Sequence, residues 1–246
     1  MLDHTTLLVF LYALLTAVTT GLGAIPFWFV KAMPPKWLGW SGGIASGIML
    51  AASFNLIEEG THHDVYRTLL GLLLGLLFIW LSQRWLSRRG TPDIAELPGA
   101  DATKILLILG VMTLHSFAEG VGVGVSFGDG ESFGAFISWA IAVHNIPEGL
   151  AISLVLVPRG FSVWRALLLS IFSSLPQPLL AVPSYLFVDT FKPFLPVGLG
   201  LAAGAMIWMV VSELLPDAYE NAPKEQVGIM ATLAAGAMVL FQVLIH

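Results

Sequence analysis

The feature that most constrains this chain is a succession of long apolar runs joined by short connections. Of its 246 residues, 57% are hydrophobic and only 11% are charged, whereas soluble domains usually carry about 25% charged residues. The runs lack the apolar–polar alternation of membrane-barrel strands. Lipid offers no hydrogen bonds to a free backbone, which leaves helices as the way to cross it. The sequence therefore predicts an all-α integral membrane protein.

The lengths of the runs predict eight transmembrane helices. A spanning helix needs about 20 apolar residues, and runs of that size fill the chain with no room for a soluble domain. We place the helices at 5–30, 38–58, 66–86, 103–126, 133–157, 163–188, 195–215 and 226–245. Residues 1–246 are predicted to form a single transmembrane domain, with a short loop at 87–102 between helices 3 and 4. The absence of cysteine excludes disulfides and thiolate metal sites.

Basic residues are distributed unevenly between the two ends of the predicted helices. Nine of the 11 lysines and arginines fall at one end and two at the other: Lys31, Lys36, Arg84, Arg88, Arg89, Lys104, Arg159, Arg165 and Lys224 against Arg67 and Lys192. Because basic loops stay in the cytoplasm, we expect a cytoplasmic 87–102 loop and both termini on the non-cytoplasmic side, most simply of a plasma (inner) membrane. The net charge of −5 and the lack of a basic stripe exclude a nucleic-acid partner.

Two short motifs echo each other in neighbouring helices. Residues 115–120 in helix 4 read HSFAEG, and residues 144–149 in helix 5 read HNIPEG. Helices 2 and 7 share a weaker echo, in which Gly43, Gly47 and Met49 match Gly200, Gly204 and Met206. Each pair of helices runs in opposite directions, so inverted repeats are predicted, as in many secondary transporters. Gly71 and Gly75 form a further small-residue pair, which we expect to face a second protomer.

Charged residues inside two apolar helices are the strongest functional signal. Glu119 and Glu148 lie deep in their runs, where a charge costs about 2.5–3.5 kcal/mol on insertion scales. Positions i and i+4 share a helix face, so His115 and His144 point the same way as their glutamates. Imidazole nitrogen with carboxylate oxygen suits a divalent ion such as Zn²⁺. The alternative for either pair alone is a hydrogen bond between helices.

Neutral and peripheral donors complete the candidate metal residues. Ser116 and Asn145 follow the two histidines at about 100° around their helices, where they suit a second ion position sharing both glutamates. Gln177 adds an amide at a proline kink of helix 6. Met49 in helix 2 and Glu213 in helix 7 are the remaining candidates. Helix packing is the alternative role for the neutral residues, and an interfacial position the alternative for Glu213.

A polar cluster ends helix 2. We expect it to collect cations at an entrance, with a solvated loop as the alternative; its members are Glu58, Glu59, His62, His63 and Asp64.

The motif at 144–149 resembles the HNxPEG signature of the ZIP (Zrt-/Irt-like protein) family of metal transporters. The resemblance extends over nearly the whole chain and implies a ZIP-like bundle with a paired metal site between helices 4 and 5. It further implies transport of divalent metal, usually Zn²⁺, toward the cytosol, a homodimer, and alternating access in which helices 1, 4, 5 and 6 move against the rest.

This chain departs from the family pattern at several positions. Ser116 and Ala118 stand where Asn and Pro are usual, Gln177 where many members carry an acidic residue, and Ser212 where some have His. These departures weaken the charge of the second ion position. The resemblance predicts no resident cofactor, since the metal is the cargo, with Zn²⁺ expected and Cd²⁺, Fe²⁺ or Mn²⁺ as alternatives.

Two other classes of protein are alternatives to a transporter. An intramembrane metal-dependent hydrolase also buries His and acidic residues, but it needs firm ligands, an open water position and a general base, and the chain has no HExxH motif. A receptor-like or purely structural bundle leaves the echoed His/Glu pairs without a reason. We therefore predict a transporter and not an enzyme.

Overall fold

The computed structural model describes residues 4–29, 34–88, 99–128 and 130–245. Within these ranges the chain is helical apart from short turns, and it contains no strand. We number its membrane-length helices α1 to α8. Their bounds are α1 His4–Leu22, α2 Pro35–His63, α3 Val65–Arg88, α4 Gly99–Gly128, α5 Glu131–Leu156, α6 Val163–Ser174 with Pro176–Leu186, α7 Leu195–Asn221 in three segments, and α8 Lys224–Ile245. Shorter helical pieces lie at Pro26–Phe29, Val157–Arg159, Val188–Phe191 and Lys192–Phe194.

The predicted fold class is confirmed. In the described parts of the chain, eight helices are long and apolar enough to cross a membrane, and each corresponds to a predicted span. α2 is longer than the predicted 38–58 and ends at His63, so Glu58 and Glu59 lie in its last turns rather than in a loop. α4 begins at Gly99 rather than at 103. Most of the predicted 87–102 loop, residues 89–98, lies outside the described residues.

Four pairs of parallel helices make the most extensive contacts of the bundle: α3 with α7, α2 with α8, α4 with α6, and α1 with α5. Glycine allows these approaches. A Cβ on Gly47 of α2 would lie 2.0 Å from the carbonyl oxygen of Ala231 in α8, and one on Gly149 of α5 would lie 1.6 Å from that of Thr20 in α1. Real Cβ atoms essentially never come within 3.0 Å of such an atom. Backbone-to-backbone packing at small residues is how helices associate in lipid.

The four pairs show the inverted repeat at the level of packing. Exchanging helix 1 with 6, 2 with 7, 3 with 8 and 4 with 5 converts the α3/α7 pair into α8/α2, and the α4/α6 pair into α5/α1. The sequence echoes indicated the 2–7 and 4–5 equivalences. The structure extends the correspondence to helices 1 and 6 and to helices 3 and 8, whose sequences carry no visible echo.

The helices fall into two groups by their contacts. One group holds α1, α4, α5 and α6, and the other holds α2, α3, α7 and α8. The groups meet mainly where α4 packs on α7 and where α5 packs on α2. A buried apolar cluster lies at this meeting and includes Met49, Ile108, Met112, Ile152 and Met206.

Two helices are irregular near polar residues. α6 breaks at Leu175 between its two segments, because Pro176 and Pro178 each lack the N–H that continues a helix. The Phe172 carbonyl at this break still accepts a hydrogen bond, from the Leu175 N–H at 3.2 Å. In α7 the backbone hydrogen bonds change to the i to i+5 spacing of a π-helix over Val210–Leu214. Such segments are common at functional sites.

One prediction about packing is wrong. Gly71 and Gly75 of α3 do not face outward toward a second protomer. A Cβ on Gly71 would lie 2.1 Å from the carbonyl oxygen of Val197, and one on Gly75 would lie 2.2 Å from that of Leu201. Both glycines therefore close the α3/α7 contact inside the protomer.

The glycine contacts yield a stability prediction. Gly75→Val should destabilise the protein strongly, because its side chain would meet the Leu201 carbonyl and overpacking typically costs about 1–3 kcal/mol. Gly236→Val in α8 is the matched control, since a Cβ there meets nothing within 4 Å. Thermal unfolding followed by fluorescence-detected gel filtration should show a lower melting temperature for Gly75→Val alone. Equal melting temperatures for both variants would contradict this account of the α3/α7 contact.

Candidate metal centre

Three ionisable side chains from two helices converge inside the first group of helices. His115 and Glu119 come from α4 and Glu148 from α5, and each offers one ligand atom within 4.8 Å of the others. His115 Nε2 lies 2.7 Å from Glu148 Oε1 and 3.3 Å from Glu119 Oε1. His115 and Glu148 are 0% exposed and Glu119 is 4% exposed. A His–carboxylate cluster is thus buried within the apolar bundle.

The spacing of these atoms suits a small divalent ion. Ligands at 2.0–2.1 Å from a tetrahedral zinc ion are about 3.3 Å apart, which matches the His115–Glu119 separation of 3.3 Å. The His115–Glu148 separation of 2.7 Å is shorter, and opening it by roughly 0.6 Å brings it to the same value. One imidazole and two carboxylates are the donor types that zinc accepts.

The electrostatics of the cluster also favour a cation. Two ionised carboxylates buried beside one imidazole bring a charge of −2, and buried charges are costly unless they are paired. The Glu148 Oε2 atom is buried with no hydrogen-bond partner among the described residues. A bound divalent ion supplies +2 and cancels this charge.

Gln177 contacts the cluster, although its amide oxygen faces away from it. The Gln177 Nε2 group donates a hydrogen bond to Glu119 Oε2. The Gln177 Oε1 atom accepts from the Thr16 hydroxyl at 2.6 Å and from Asn145 Nδ2 at 3.2 Å. Gln177 therefore donates to the Glu119 carboxylate, while its amide oxygen is occupied by Thr16 and Asn145.

Asn145 and Ser116, the residues that follow His144 and His115, each keep a buried side-chain oxygen available. Both residues are 0% exposed. Asn145 Oδ1 and Ser116 Oγ have no hydrogen-bond partner in the described part of the chain. Asn145 is anchored through its other end, since Nδ2 donates to the Thr16 carbonyl at 2.8 Å.

The other predicted metal residues either lie away from this cluster or have side chains that the structure does not describe. The side chain of His144 is not among the described ones, although its backbone belongs to α5. Met49 is fully buried on α2, in the apolar cluster where the two helix groups meet. Glu213 is partly exposed in the π-helical segment of α7 and is not a member of the three-residue cluster. Met49 and Glu213 thus belong to the second helix group.

Sequence reasoning missed the contribution of α1. Thr16 and Thr20 are 0% exposed; Thr16 binds both amides, and the Thr20 hydroxyl lies 2.8 Å from that of Ser174 in α6. The available signal was two threonines at i and i+4 in an apolar helix. That spacing places them on one face but does not indicate which helices the face contacts.

A cavity of about 220 Å³ reaches the cluster from one end of the bundle. Glu119 lines it, and Asn55, Glu59 and His63 of α2 line it as well. This end carries the α2–α3 and α4–α5 connections, and the basic residues predict it to be non-cytoplasmic. Glu59 and His63, whose Oε1 and Nε2 atoms lie 3.3 Å apart, therefore share a cavity with Glu119, as expected of an entrance.

The opposite side of the cluster is closed by apolar side chains. Ile152 lies one turn beyond Glu148 on α5, and Val155 follows; both belong to the apolar cluster that contains Met49. Val155 also lines a second cavity of about 280 Å³ at the other end of the bundle, together with Asp217 and Arg159. An apolar barrier thus separates the cluster of His115, Glu119 and Glu148 from this second cavity.

Comparison with known proteins identifies the family of this chain. The family described as ZIP Zinc transporter matches residues 88–244. The chain is similar to a putative zinc transporter of Arabidopsis thaliana, with 52% identity over 93% of this chain, and it spans 37% of that protein's length.

Two bacterial relatives are covered over most of their own length. The zinc transporter ZIPB of Bordetella bronchiseptica is 31% identical over 87% of this chain and 74% of its own. The zinc transporter GufA of Myxococcus xanthus is 32% identical over 85% of this chain and 87% of its own. These relatives are named as transporters, which bears out the predicted class against an intramembrane hydrolase. The resemblance seen in the motif is thereby confirmed, and this chain is a multi-pass membrane protein of the ZIP zinc transporter family.

Proposed function

We propose that this protein is a secondary transporter that carries divalent metal ions, chiefly Zn²⁺, across a membrane toward the cytosol. The observation that carries the proposal is the enclosed cluster of His115, Glu119 and Glu148. Ionisable groups inside a membrane are costly, and those that occur there commonly mark a path for ions or protons. Relatives that are named zinc transporters make the metal ion the natural occupant.

The proposed binding site consists of His115, Glu119, Glu148 and His144, with the neutral oxygens of Asn145 and Ser116 beside it. We include His144 because it lies four residues before Glu148, as His115 does before Glu119, and positions i and i+4 share a helix face. Met49 and Glu213 are proposed as contacts made by the second helix group while the ion moves. The chain acts as one transporter domain, and two protomers pair in the bilayer.

Access alternates between the two ends of the bundle. The cluster is open to the cavity that holds Glu59 and His63, and it is closed on the other side by the barrier around Ile152 and Met49. All three cluster residues lie on the group formed by α1, α4, α5 and α6. Movement of this group against α2, α3, α7 and α8 would open the barrier and release the ion on the opposite side.

The orientation follows from the basic residues. The end that carries nine of the 11 lysines and arginines is placed in the cytoplasm, which puts both termini and the Glu59/His63 cavity on the outer face of a plasma (inner) membrane. Ions then enter from outside and leave toward the cytosol.

A first prediction concerns the glutamates of the cluster. The double variant Glu119→Ala/Glu148→Ala should lower zinc uptake into proteoliposomes to the level of protein-free vesicles, because it removes two ligands and both neutralising charges. Glu225→Ala, at an exposed position in the first turn of α8, is the matched control and should transport normally. Gel filtration confirms that both variants insert and fold. Uptake at the wild-type rate by the double variant would refute the proposed site.

A second prediction concerns the number of ions. Two divalent ions bring +4 against −2 from the two glutamates, and an imbalance of this kind is costly in a low-dielectric site. The Gln177 amide donates to Glu119 at the second position, so we expect one tightly bound ion per protomer. Gln177→Glu places a third carboxylate beside Glu119, and a second cation would relieve the repulsion between these negative charges. The variant should therefore bind two ions per protomer.

Metal analysis of purified protein at equal free Zn²⁺ measures these numbers. Gln226→Glu adds the same charge beside Trp40, away from the cluster, and should leave one ion bound. Two equally tight ions in the wild type would show that other groups supply the missing charge.

A further inference from the structure

Thr16 of α1 is connected to the metal-binding cluster without offering it a ligand. The residue is 0% exposed. Its hydroxyl donates to Gln177 Oε1 at 2.6 Å, and its backbone carbonyl accepts from Asn145 Nδ2 at 2.8 Å. One residue thus binds an amide of α5 and an amide of α6 through two different groups.

These contacts determine which way the Gln177 amide points. The Thr16 carbonyl can only accept, so it orients the Asn145 amide with its NH₂ toward Thr16. That NH₂ also reaches Gln177 Oε1 at 3.2 Å. The Gln177 oxygen therefore faces two donors, and its own NH₂ is directed at Glu119 Oε2. The reverse orientation would set the Gln177 NH₂ against the Asn145 NH₂ and the oxygen against a carboxylate.

The orientation of Gln177 in turn fixes Glu119. With Oε2 held by the amide, Glu119 presents Oε1 to His115 Nε2 at 3.3 Å. A carboxylate fixed by a hydrogen bond loses less rotational freedom when it binds a metal, and partners of this kind tune metal affinity.

α1 is anchored so that Thr16 cannot easily follow a displaced side chain. The α1 and α5 backbones touch at Gly149, where a Cβ would lie 1.6 Å from the Thr20 carbonyl. The Thr20 hydroxyl lies 2.8 Å from that of Ser174 in α6. Thr16 is therefore held in a fixed place relative to both amides.

We infer that Thr16 is a positioning residue of the metal site, which acts through Gln177 on Glu119 and sets the affinity for the transported ion. The inference rests on the proposed function. The Thr16 hydroxyl carries a single proton, which the Ala13 carbonyl at 2.7 Å on its own helix and Gln177 Oε1 at 2.6 Å share. A purely structural threonine needs only the first of these two contacts. The positioning role requires in addition that the loss of the Thr16 hydroxyl lowers the affinity for the metal, and that it does so only through Gln177.

A double-mutant cycle separates these roles. The dissociation constant of Zn²⁺ is measured by titration calorimetry for the wild type, Thr16→Val, Gln177→Ala and the double variant. Thr16→Val keeps the shape of the side chain and removes the donor. It should weaken binding, but by less than Gln177→Ala, which removes the partner that directly orients Glu119 and for which a loss of about 10- to 100-fold is usual. In the Gln177→Ala background the same change should have little further effect, because residues that act as one unit are not additive.

Two further variants complete the test. Thr16→Ser retains the hydroxyl and should bind Zn²⁺ like the wild type. Thr113→Val removes a comparable hydroxyl on α4, which bonds only its own helix at the Leu109 carbonyl among the contacts the structure shows, and should also bind normally. If Thr16→Val fails to fold, Thr16→Ala takes its place in the cycle.

Unchanged affinity in Thr16→Val, or an equal loss with and without Gln177, would overturn the inference while leaving the transport proposal intact. A wild-type protein that binds Zn²⁺ but moves none into vesicles would instead refute the proposed function and leave the cycle interpretable.

Discussion

The structure depends on two carboxylates buried inside a bundle of apolar helices. Glu119 and Glu148 are enclosed by the α1, α4, α5 and α6 group, and their charge has to be offset by a bound cation or by donors from the protein. His115 lies between them and Gln177 donates to one of them. The arrangement of the surrounding helices can be understood as the means of bringing these groups together and of letting an ion reach them from one side at a time.

Close helix packing is the means by which the cluster is held. Lipid tails are as apolar as the side chains, so side chains gain little free energy by contacting each other instead of lipid. Helices therefore associate where their backbones come close. Gly149 brings α5 against α1, and Gly124 brings α4 against α6, where a Cβ would lie 2.2 Å from the Ala181 carbonyl. α4 and α5 also pack directly on each other, which places the echoed motifs side by side. Equivalent glycine contacts in α2/α8 and α3/α7 hold the second group together.

Much of this arrangement was predictable from the sequence because the signals are local. Run length and hydropathy indicate eight spans, and the i, i+4 spacing of His115 and Glu119 places them on one face, as observed. The echo between helices 4 and 5 indicated that Glu148 would join them. The less predictable features are those that depend on which helices touch. Gly71 and Gly75 suit a contact within or between protomers equally well, and the sequence does not distinguish the two.

The same reason explains why the role of α1 and the orientation of Gln177 escaped prediction. A glutamine in place of an acidic residue indicates a loss of charge, but its amide can present either a donor or an acceptor. The neighbours Thr16 and Asn145, from two other helices, determine that it presents a donor. The π-helical segment around Glu213 likewise has no local sequence signal. In each case tertiary contacts select one of several locally equivalent states.

The central claim is that one divalent ion is held by imidazole and carboxylate groups inside the membrane. Zinc K-edge X-ray absorption on the metal-loaded wild-type protein tests it most directly. The account predicts a shell of nitrogen and oxygen ligands near 2.0–2.1 Å with the outer scattering of imidazole, and no zinc–zinc contribution. A shell of oxygen alone, without imidazole scattering, would place the ion outside the His115, Glu119 and Glu148 cluster and contradict the account.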